Sequence, residues 1–241
     1  MIAANKPLGA RINANHPINK GLVGCWLLNE MAGSKAFDCS GYNNHGTLTN
    51  FGLSGTTSNW RPTPNGGGLY FDGSNDYVDC GSGNIFQWTD KISVCAWKRR
   101  NSITPSNSGE GIVAKFLNPT NESFVLYDRK NVKNATHFEI GIGGTYYDSS
   151  INITTYDTNW HFVVGVYDGT TVMIYYDGIK QTATTSITGN IKSVSSPVTL
   201  GTYQKSDDFF NGTISDVMIW NRALTNNEVQ QLYTNPHIGL I

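Results

Sequence analysis

The stretch DCSGYNNHG, residues 38–46, concentrates side chains that could bind a cation or a hydroxylated ligand. It holds one carboxylate, one hydroxyl, two amides and an imidazole, and calcium takes six to eight oxygen ligands. An EF-hand loop does not fit, because the glycine required at its sixth position is Asn43 and the glutamate required at its twelfth is Thr49. The stretch alone therefore leaves three interpretations open: a metal loop, a sugar-binding loop or a turn.

Carboxyl pairs of the kind that cleave glycosidic bonds are not evident along the chain. Glycoside hydrolysis uses two carboxyl groups, and residues i and i+2 of a strand share one face. None of the glutamates lies within four residues of another; they are Glu30, Glu110, Glu122, Glu139 and Glu228. We expect Glu139, in the predicted strand HFEIGIG, to face solvent without an acidic partner. The sequence therefore predicts no enzyme, and a glycoside hydrolase that uses Glu139 or Asp208 is the less favoured alternative.

Other catalytic and cofactor signatures are also missing from the sequence. There is no G-x-S-x-G nucleophile elbow and no G-x-x-x-x-G-K-[S/T] phosphate loop. The histidines are scattered without metal-ligand spacing, and the cysteines lack a C-x-x-C pair. We interpret the cysteines as free thiols, although their number would allow three disulfide pairings. They are Cys25, Cys39, Cys80 and Cys95.

The composition limits which partners the chain can bind. Charged residues make up 15% of the 241 residues and the net charge is -1, so no basic surface is available to attract nucleic acid or anionic lipid. No stretch reaches the length of a membrane span, and no Sec signal peptide is visible. We expect a glycan or a protein as partner, with no nucleic acid and no membrane insertion; homo-oligomer formation remains open.

Two predicted loops combine aromatic rings with polar side chains. An aromatic face can stack on the apolar side of a sugar ring, while amides and carboxylates hydrogen bond to its hydroxyl groups. The candidate ligand-binding residues are Tyr146, Tyr147 and Asp148 in TYYDSS, and Tyr203, Asp207, Asp208 and Phe209 in YQKSDDFFNG. For Phe209 the alternative is a packing role within a hairpin.

Strand and turn signals run through most of the chain and indicate an all-β fold. Apolar runs such as GLVGCWLLNE, ISVCAWKRR and WHFVVGVYDG are separated by short polar segments. The Asp-Gly pairs in YDGT and YDGI predict tight hairpins. Near the C-terminus, Thr225 and Glu228 have capping-box spacing, which predicts one short helix over 226–233 that Pro236 ends.

The first twenty residues differ from the rest of the chain. Residues 1–20 contain Pro7 and Pro17 and show no apolar periodicity, which predicts an extended N-terminal arm. A single β-sandwich domain is expected over residues 21–241, because no second domain or repeat is apparent.

The tryptophans divide into two groups by their surroundings. Four fall within predicted strands and are expected in the core: Trp26, Trp97, Trp160 and Trp220. Trp60 and Trp88 lie in less regular segments and could be exposed.

Seven segments, taken together and in order, resemble the laminin-G-like and pentraxin-like branch of the concanavalin A-like lectin/glucanase superfamily. The resemblance covers about residues 21–234. The segments are GLVGCWLLNE, DCSGYNNHGTL, GLYFDGSNDYVDCG, ISVCAWKRR, WHFVVGVYDGTTVMIYYDG, VTLGTY and FFNGTISDVMIWNRALTNNEVQQLY. The resemblance implies a jelly-roll sandwich of two antiparallel sheets with one short C-terminal helix. The E-x-D-x-E motif of the β-glucan-cleaving members is absent.

The resemblance also bears on calcium. Related domains often carry a structural calcium ion held by distant loops, and by resemblance Asp38 with Asp76 or Asp216 could contribute ligands. In the alternative, Asp38 caps a turn in a structural loop and Asp216 hydrogen bonds to neighbouring backbone.

The resulting hypothesis is a non-catalytic recognition or adhesion module. It would bind glycan or protein through its loops on an extracellular or virion surface. The alternative is a bacteriophage capsid or tail decoration protein, because HPINKGLVGCWLLNE looks similar to laminin-G-like phage structural proteins. In that case residues 1–20 would contact other virion proteins.

Overall fold

Alternating apolar and polar residues build two antiparallel sheets in this chain, in agreement with the predicted all-β fold. The computed structural model describes residues 11–53, 59–87, 90–104, 109–118, 121–129, 135–151, 156–205 and 207–241. In chain order the strands are β1 (Leu22–Trp26), β2 (Lys35–Ala36), β3 (Gly46–Thr49), β4 (Trp60–Thr63), β5 (Gly66–Asp72), β6 (Tyr77–Asp79), β7 (Ile92–Arg100), β8 (Gly109–Asn118), β9 (Asn121–Arg129), β10 (Ala135–Ile142), β11 (Thr145–Ser150), β12 (Trp160–Tyr167), β13 (Thr171–Tyr176), β14 (Ile179–Lys180), β15 (Thr185–Ser186), β16 (Thr199–Leu200) and β17 (Asn211–Trp220).

The strands form a sandwich. One sheet has nine strands in the order β14-β13-β12-β7-β17-β5-β4, with β1 beside β17 and β15 beside β13. The other has eight strands in the order β11-β10-β9-β8-β16-β6-β3-β2. Non-consecutive neighbours such as β7 and β17 show that the chain crosses repeatedly between the sheets. The predicted jelly-roll sandwich is confirmed.

The main core lies between the two sheets. Val94 of the nine-stranded sheet and Leu126 and Phe138 of the eight-stranded sheet are fully buried within it. The sheets approach closely at Gly165, where an added Cβ would lie 2.1 Å from the Phe138 ring. A larger residue at Gly165 would therefore push the sheets apart or displace that ring.

A buried ionic network joins the sheets at one end of this core. Lys98 Nζ of β7 lies 2.7 Å from Asp128 Oδ2 of β9 and donates to Thr136 Oγ1 of β10 at 2.8 Å. Arg100 Nη1 lies 2.7 Å from Asp128 Oδ2 and 2.8 Å from Glu110 Oε2 of β8. Two cations and two carboxylates thus neutralise one another inside the sandwich, which offsets the cost of burying them.

The network also controls the ionisation of Asp128. Burial alone would raise the pKa of this carboxyl, but the adjacent Lys98 and Arg100 hold it below its usual range. The stabilisation from Asp128 is therefore present at neutral pH and is lost as the pH falls through the folded-state pKa.

A second apolar core covers most of the outer face of the nine-stranded sheet. The helix α1 (Asn226–Thr234) begins with the predicted capping box between Thr225 and Glu228. Its Val229 and Leu232 are buried with Phe162 and Trp220 of the sheet. In the described part of the chain, no helix has the length and apolar character that a bilayer crossing requires.

Residues 11–20 pack against the C-terminal segment. Arg11 and Ile241 exchange backbone hydrogen bonds at 3.0 and 2.9 Å. Ile18 is buried, and its carbonyl accepts a bond from Trp220 Nε1 at 2.7 Å. Contact with the domain thus begins before residue 21, the predicted start of the sandwich domain. Residues 1–10, the first half of the predicted arm, lie outside the described residues.

The tryptophans follow the prediction in part. Trp26 and Trp220 are fully buried, and Trp60, for which exposure was left open, is buried as well. The prediction was wrong for Trp160, which is half-buried on the outer face of the nine-stranded sheet. Trp97 is also half-buried, beneath Tyr233 of α1. The predicted exposure of Trp88 falls outside the described residues.

Substitution of Asp128 tests the ionic network. Asp128→Asn keeps the size of the side chain but leaves Lys98 and Arg100 with Glu110 as their one remaining counter-charge in the described network. We expect the free energy of unfolding to fall by about 3 to 5 kcal/mol, measured by urea denaturation at pH 7. Asp90→Asn, at an exposed position, is the control and should change it by less than about 0.5 kcal/mol. Equal losses in both variants would contradict a structural role for the network.

Candidate functional site

A cavity of about 220 Å³ opens on the outer face of the eight-stranded sheet. Side chains reach this face because their neighbours in the strands, such as Phe138 and Ile140, point into the core. We call it the tyrosine cavity. Its lining residues are Gly109, Phe116, Glu122, Tyr127, Arg129, Glu139, Tyr146, Tyr203, Gln204 and Asp208.

Aromatic rings form one side of the tyrosine cavity. The ring centroid of Tyr203 lies 4.4 Å from that of Phe116 and 5.4 Å from that of Tyr127. These rings pack with Ala114 and Val125 in a small apolar cluster of their own. The cluster holds Tyr203 in place, although Tyr203 lies in an irregular segment after β16.

Tyr146 stands at the rim of the cavity. It follows the two-residue turn Gly143–Gly144, whose residues have φ values of 60° and 87°. Glycine adopts this left-handed conformation without strain, so the turn between β10 and β11 can be tight. Tyr146 is 53% exposed, which leaves its ring accessible to a ligand.

Two glutamates lie side by side in the floor of the cavity. Glu122 is 2% exposed and Glu139 is 3% exposed, and they lie close enough for the charge of Glu139 to act on the carboxyl group of Glu122. Tyr127 also donates its hydroxyl to Glu139 Oε2 at 2.9 Å. The expectation that Glu139 faces solvent without an acidic partner was therefore wrong. The pairing was missed because it joins two strands across the sheet rather than neighbours in sequence.

The glutamate pair does not carry two full charges at neutral pH. Two carboxylates buried side by side repel each other, which favours the neutral form of one of them. Burial and the nearby charge of Glu139 raise the pKa of Glu122 to about 10, so Glu122 is neutral at pH 7. Burial also raises the pKa of Glu139, although its hydrogen bond with Tyr127 opposes that rise. The cavity floor thus presents a neutral carboxylic acid, Glu122, beside a second buried carboxyl group.

The loop YQKSDDFFNG contributes to the cavity in part. Asp208 has a φ of 54°, and its Oδ1 accepts a bond from the Gly109 amide at 3.2 Å. This bond ties the loop to the start of β8. Phe209 is buried and pairs with Thr202 in an isolated bridge, which is the packing alternative. Asp207 is exposed and bonds to the Gln204 amide; neither Asp207 nor Phe209 is a lining residue.

The other predicted residues of TYYDSS lie elsewhere. Tyr147 is partly buried against the main core. Asp148 lines a neighbouring cavity of about 350 Å³, where its Oδ2 lies 2.8 Å from His137 Nδ1. That hydrogen bond lowers the pKa of Asp148. Arg129 lines both cavities, so they lie on either side of one guanidinium group.

Sequence reasoning identified both aromatic segments and missed most of the cavity floor. TYYDSS was predicted as a loop, but it forms strand β11. Glu122, Tyr127 and Arg129 lie on β9, in the segment SFVLYD and beside it, which was interpreted as an ordinary strand. A buried charge at Asp128 requires Tyr127 and Arg129, on either side of it, to face outward. Alternation from Asp128 does not place Glu122 on that face, because an even number of positions separates the two residues.

The candidate calcium ligands bind protein groups instead. Asp38 accepts four hydrogen bonds: Oδ1 from the amides of Cys25 and Ser40 at 3.0 and 2.8 Å, and Oδ2 from the Ser40 hydroxyl and the Asn44 amide at 2.8 and 3.0 Å. Both carboxylate oxygens therefore hold together the stretch DCSGYNNHG. This is the geometry of a turn that a carboxylate caps.

The other two aspartates are bonded in the same way. Asp76 Oδ2 accepts bonds from Asn59 Nδ2 and the Asp72 amide, and burial raises the pKa of Asp76 to about 6. Asp216 lies at a bulge in β17, and its Oδ2 accepts from Ser215 Oγ at 2.8 Å. No group of three or more His, Cys, Asp or Glu side chains in the described part of the chain could hold a metal ion. Calcium binding by the three aspartates stays a prediction.

Comparison with known proteins places the fold. The Laminin_G_3 family, described as concanavalin A-like lectin/glucanases superfamily, matches residues 72–230. No curated protein sequence matches the chain.

Solved structures of similar fold include one domain of an arabinanase and two toxin binding domains. Domain 4 of a GH43 extracellular arabinanase from Geobacillus stearothermophilus, in complex with arabinotriose, has a TM-score of 0.70 at 19% identity, over 88% of this chain and 98% of that one. The binding domain of botulinum neurotoxin DC in complex with SialylT has a TM-score of 0.63 at 17% identity, over 90% of this chain and 52% of that one. The binding domain of Paraclostridial Mosquitocidal Protein 1 has a TM-score of 0.67 at 13% identity, over 92% of this chain and 53% of that one. This chain thus spans about half the length of the two toxin domains.

A thermal melt tests the calcium interpretation. We expect the same midpoint in excess calcium and in EGTA, because a ligand that binds the folded state alone would raise it and Asp38 already accepts four protein hydrogen bonds. The melt is read by differential scanning calorimetry, with magnesium as the control cation. A rise of several degrees that calcium causes and magnesium does not would contradict this prediction.

The pH dependence of stability tests the glutamate pair. The pKa of Glu122 rises from about 4.5 unfolded to about 10 folded, so its contribution to stability is lost as the pH rises between these values. We expect Glu122→Gln to be more stable than the wild type at pH 8, with a difference that shrinks towards pH 5. Each pH unit corresponds to at most about 1.4 kcal/mol. The free energy of unfolding is measured in urea at pH 5 and 8. A difference that does not change with pH would refute the raised pKa of Glu122.

Proposed function

The chain belongs to the concanavalin A-like lectin/glucanases superfamily, and from that premise we propose that it is a non-catalytic module that binds glycan in the tyrosine cavity. One observation carries the proposal. Tyr146 of β11 and Tyr203 of the segment after β16, which come from two stretches with aromatic and polar composition, line the same cavity on one face of the sandwich. Distant chain segments thus contribute rings and polar groups to one concave surface, as in ligand sites generally.

The chemistry of the lining suits a saccharide. The accessible ring of Tyr146 offers a face for the apolar side of a sugar ring. Gln204 and Arg129 supply hydrogen-bond donors from the other walls. In the floor, neutral Glu122 can donate a hydrogen bond and Glu139 can accept one. A sugar hydroxyl both donates and accepts, so it can bond to both carboxyl groups.

The placement of the glutamate pair supports binding rather than hydrolysis. Glycosidases place their two carboxyl groups so that the scissile bond lies between them. Glu122 and Glu139 both lie in the floor of the cavity, 2% and 3% exposed, so a saccharide would rest on the pair rather than pass between its members. This arrangement favours the binding proposal over the hydrolase alternative that used Glu139.

The known structures support the same proposal through their ligands. The arabinanase domain was solved with arabinotriose and the neurotoxin DC binding domain with SialylT. The first of these is covered over 98% of its length by this chain, so that ligand complex belongs to a unit of the same extent. Arabinotriose is accordingly the first saccharide to test.

We extend the proposal to a location outside the cell. The arabinanase that contains the similar domain is described as extracellular, and a module that binds glycan from a surface would meet its ligand there. Display on a virion stays a separate prediction. It depended on residues 1–20 as an arm, and residues 11–20 pack on the domain rather than extending from it.

Removal of the rim tyrosine tests the proposed function. Tyr146→Ala should weaken binding of the preferred glycan by about tenfold or more, because the stacking face is lost. Ligands are first found on a broad glycan array that includes arabinotriose, and affinities are then measured by calorimetry.

Tyr42→Ala is the matched control. Tyr42 is 52% exposed, almost the same as Tyr146, but lies outside the cavity, so its loss should leave the affinity unchanged. Absence of any ligand on the array, or equal losses in the two variants, would overturn the proposal.

A further inference from the structure

A second cavity, of about 330 Å³, lies on the opposite side of the molecule. It occupies the outer face of the nine-stranded sheet, at the end that the helix α1 and the second core leave uncovered. Four residues of its lining form a single line across adjacent strands. We call Tyr70, Thr213, Arg99 and Trp160 the outer row.

Strand register aligns the outer row. Thr213 of β17 pairs with Tyr70 of β5 on one side and with Arg99 of β7 on the other. Arg99 in turn pairs with Trp160 of β12. Residues paired across strands project from the same face, and three strand spacings give the row a length of about 14 Å. An extended ligand could therefore contact all four side chains.

The cavity carries positive charge. Arg99 is exposed, and its Nε donates to the Thr158 carbonyl at 2.9 Å, which fixes the base of the guanidinium group. Arg61 of β4 lies beside the row, 5.6 Å above the Tyr70 ring. Arg100 also borders the cavity, but Glu110 and Asp128 neutralise it from within the core. None of the described lining residues is acidic.

Aromatic rings lie at both ends of the row. Trp160 is half-buried, so part of its indole remains open to solvent. Tyr70 is half-buried at the other end, beneath Arg61. Gly68 of β5 lies beside the row, and a Cβ added there would lie 3.2 Å from Thr213 Cγ2 and 2.6 Å from Thr63 Cγ2. A side chain at Gly68 would fill the space beside Thr213.

We propose that the outer row is a second saccharide site, specific for an acidic oligosaccharide. Guanidinium groups bind carboxylates through two parallel hydrogen bonds, and Arg99 and Arg61 supply two such groups. Trp160 and Tyr70 provide faces for the sugar rings, and the Thr213 hydroxyl bonds to a sugar hydroxyl. The exposed Arg99 guanidinium would pair with a carboxylate of the ligand, and none of the described lining residues is acidic, which is why the ligand carries carboxylates.

The outer row is independent of the tyrosine cavity. The two sites lie on the outer faces of opposite sheets and share no lining residue. A module with both sites could hold two glycan chains, or two parts of a branched one, and gain affinity from that bivalence.

Calorimetry with matched saccharides tests the outer row. The probes are tetrasaccharides of galacturonate and of hyaluronan, with the fully methyl-esterified galacturonate tetrasaccharide as the neutral counterpart. We expect an acidic probe to bind at least about tenfold more tightly than the ester, with an affinity that falls as sodium chloride is raised. Arg99→Gln and Trp160→Ala should each weaken binding of the acidic probe by about tenfold.

Two variants control for general effects. Lys180→Gln removes an exposed cation from β14 of the same sheet and should leave the affinity unchanged. Tyr146→Ala should leave acidic binding intact, whatever it does to the glycan of the tyrosine cavity. Failure of both acidic probes to bind, equal affinity for acid and ester, or equal losses in Arg99→Gln and Lys180→Gln would overturn the outer row as a site. Loss in Tyr146→Ala alone would assign the acidic ligand to the tyrosine cavity instead.

Discussion

The buried ionic network between β7, β8 and β9 determines which residues the two sheets present to solvent. Lys98 and Arg100 must point inward to meet Asp128, and strand alternation then forces Arg99 outward. On β9 the inward Asp128 forces Tyr127 and Arg129 outward in the same way. A slip of either strand by one residue would bury Arg99 or Arg129 and expose the network. The register that neutralises the core charges thus also builds both candidate sites.

This dependence explains why the network is retained at a cost. Buried ion pairs pay a large desolvation penalty, and apolar replacements of similar volume are often as stable. The advantage of the ionic network is that it specifies the strand register. Lys98 and Arg100 of β7 meet Asp128 of β9 in one register, and a shift of either strand by one residue would leave these cations unpaired. Tyr156 packs against the network, with its ring 4.8 Å from the Arg100 guanidinium group. The sandwich can therefore vary its outer residues without losing the alignment.

Local signals predicted most of the fold, and non-local pairing explains what they missed. The capping box at Thr225 and the hairpin glycines act within a few residues, so pattern and spacing are sufficient to identify them. The tyrosine cavity depends on β8, whose three register irregularities bring Phe116 opposite Glu122, and no periodicity reports such bulges. Trp160 was assigned to the core because a strand pattern shows alternation but not where the covering helix ends.

The two clusters of buried charge differ in a way that bears on function. Around Asp128 the cations balance the carboxylates, which offsets the cost of burying them. Glu122 and Glu139 have no such balance; Glu122 must stay protonated at neutral pH, and that requirement lowers the stability of the fold. A glutamine at Glu122 would avoid the penalty, and stability-based selection alone would favour it. The pair lies in a cavity open to solvent, where the neutral acid Glu122 and the carboxyl group of Glu139 can both bond to a sugar hydroxyl, and binding is therefore the better explanation of its cost.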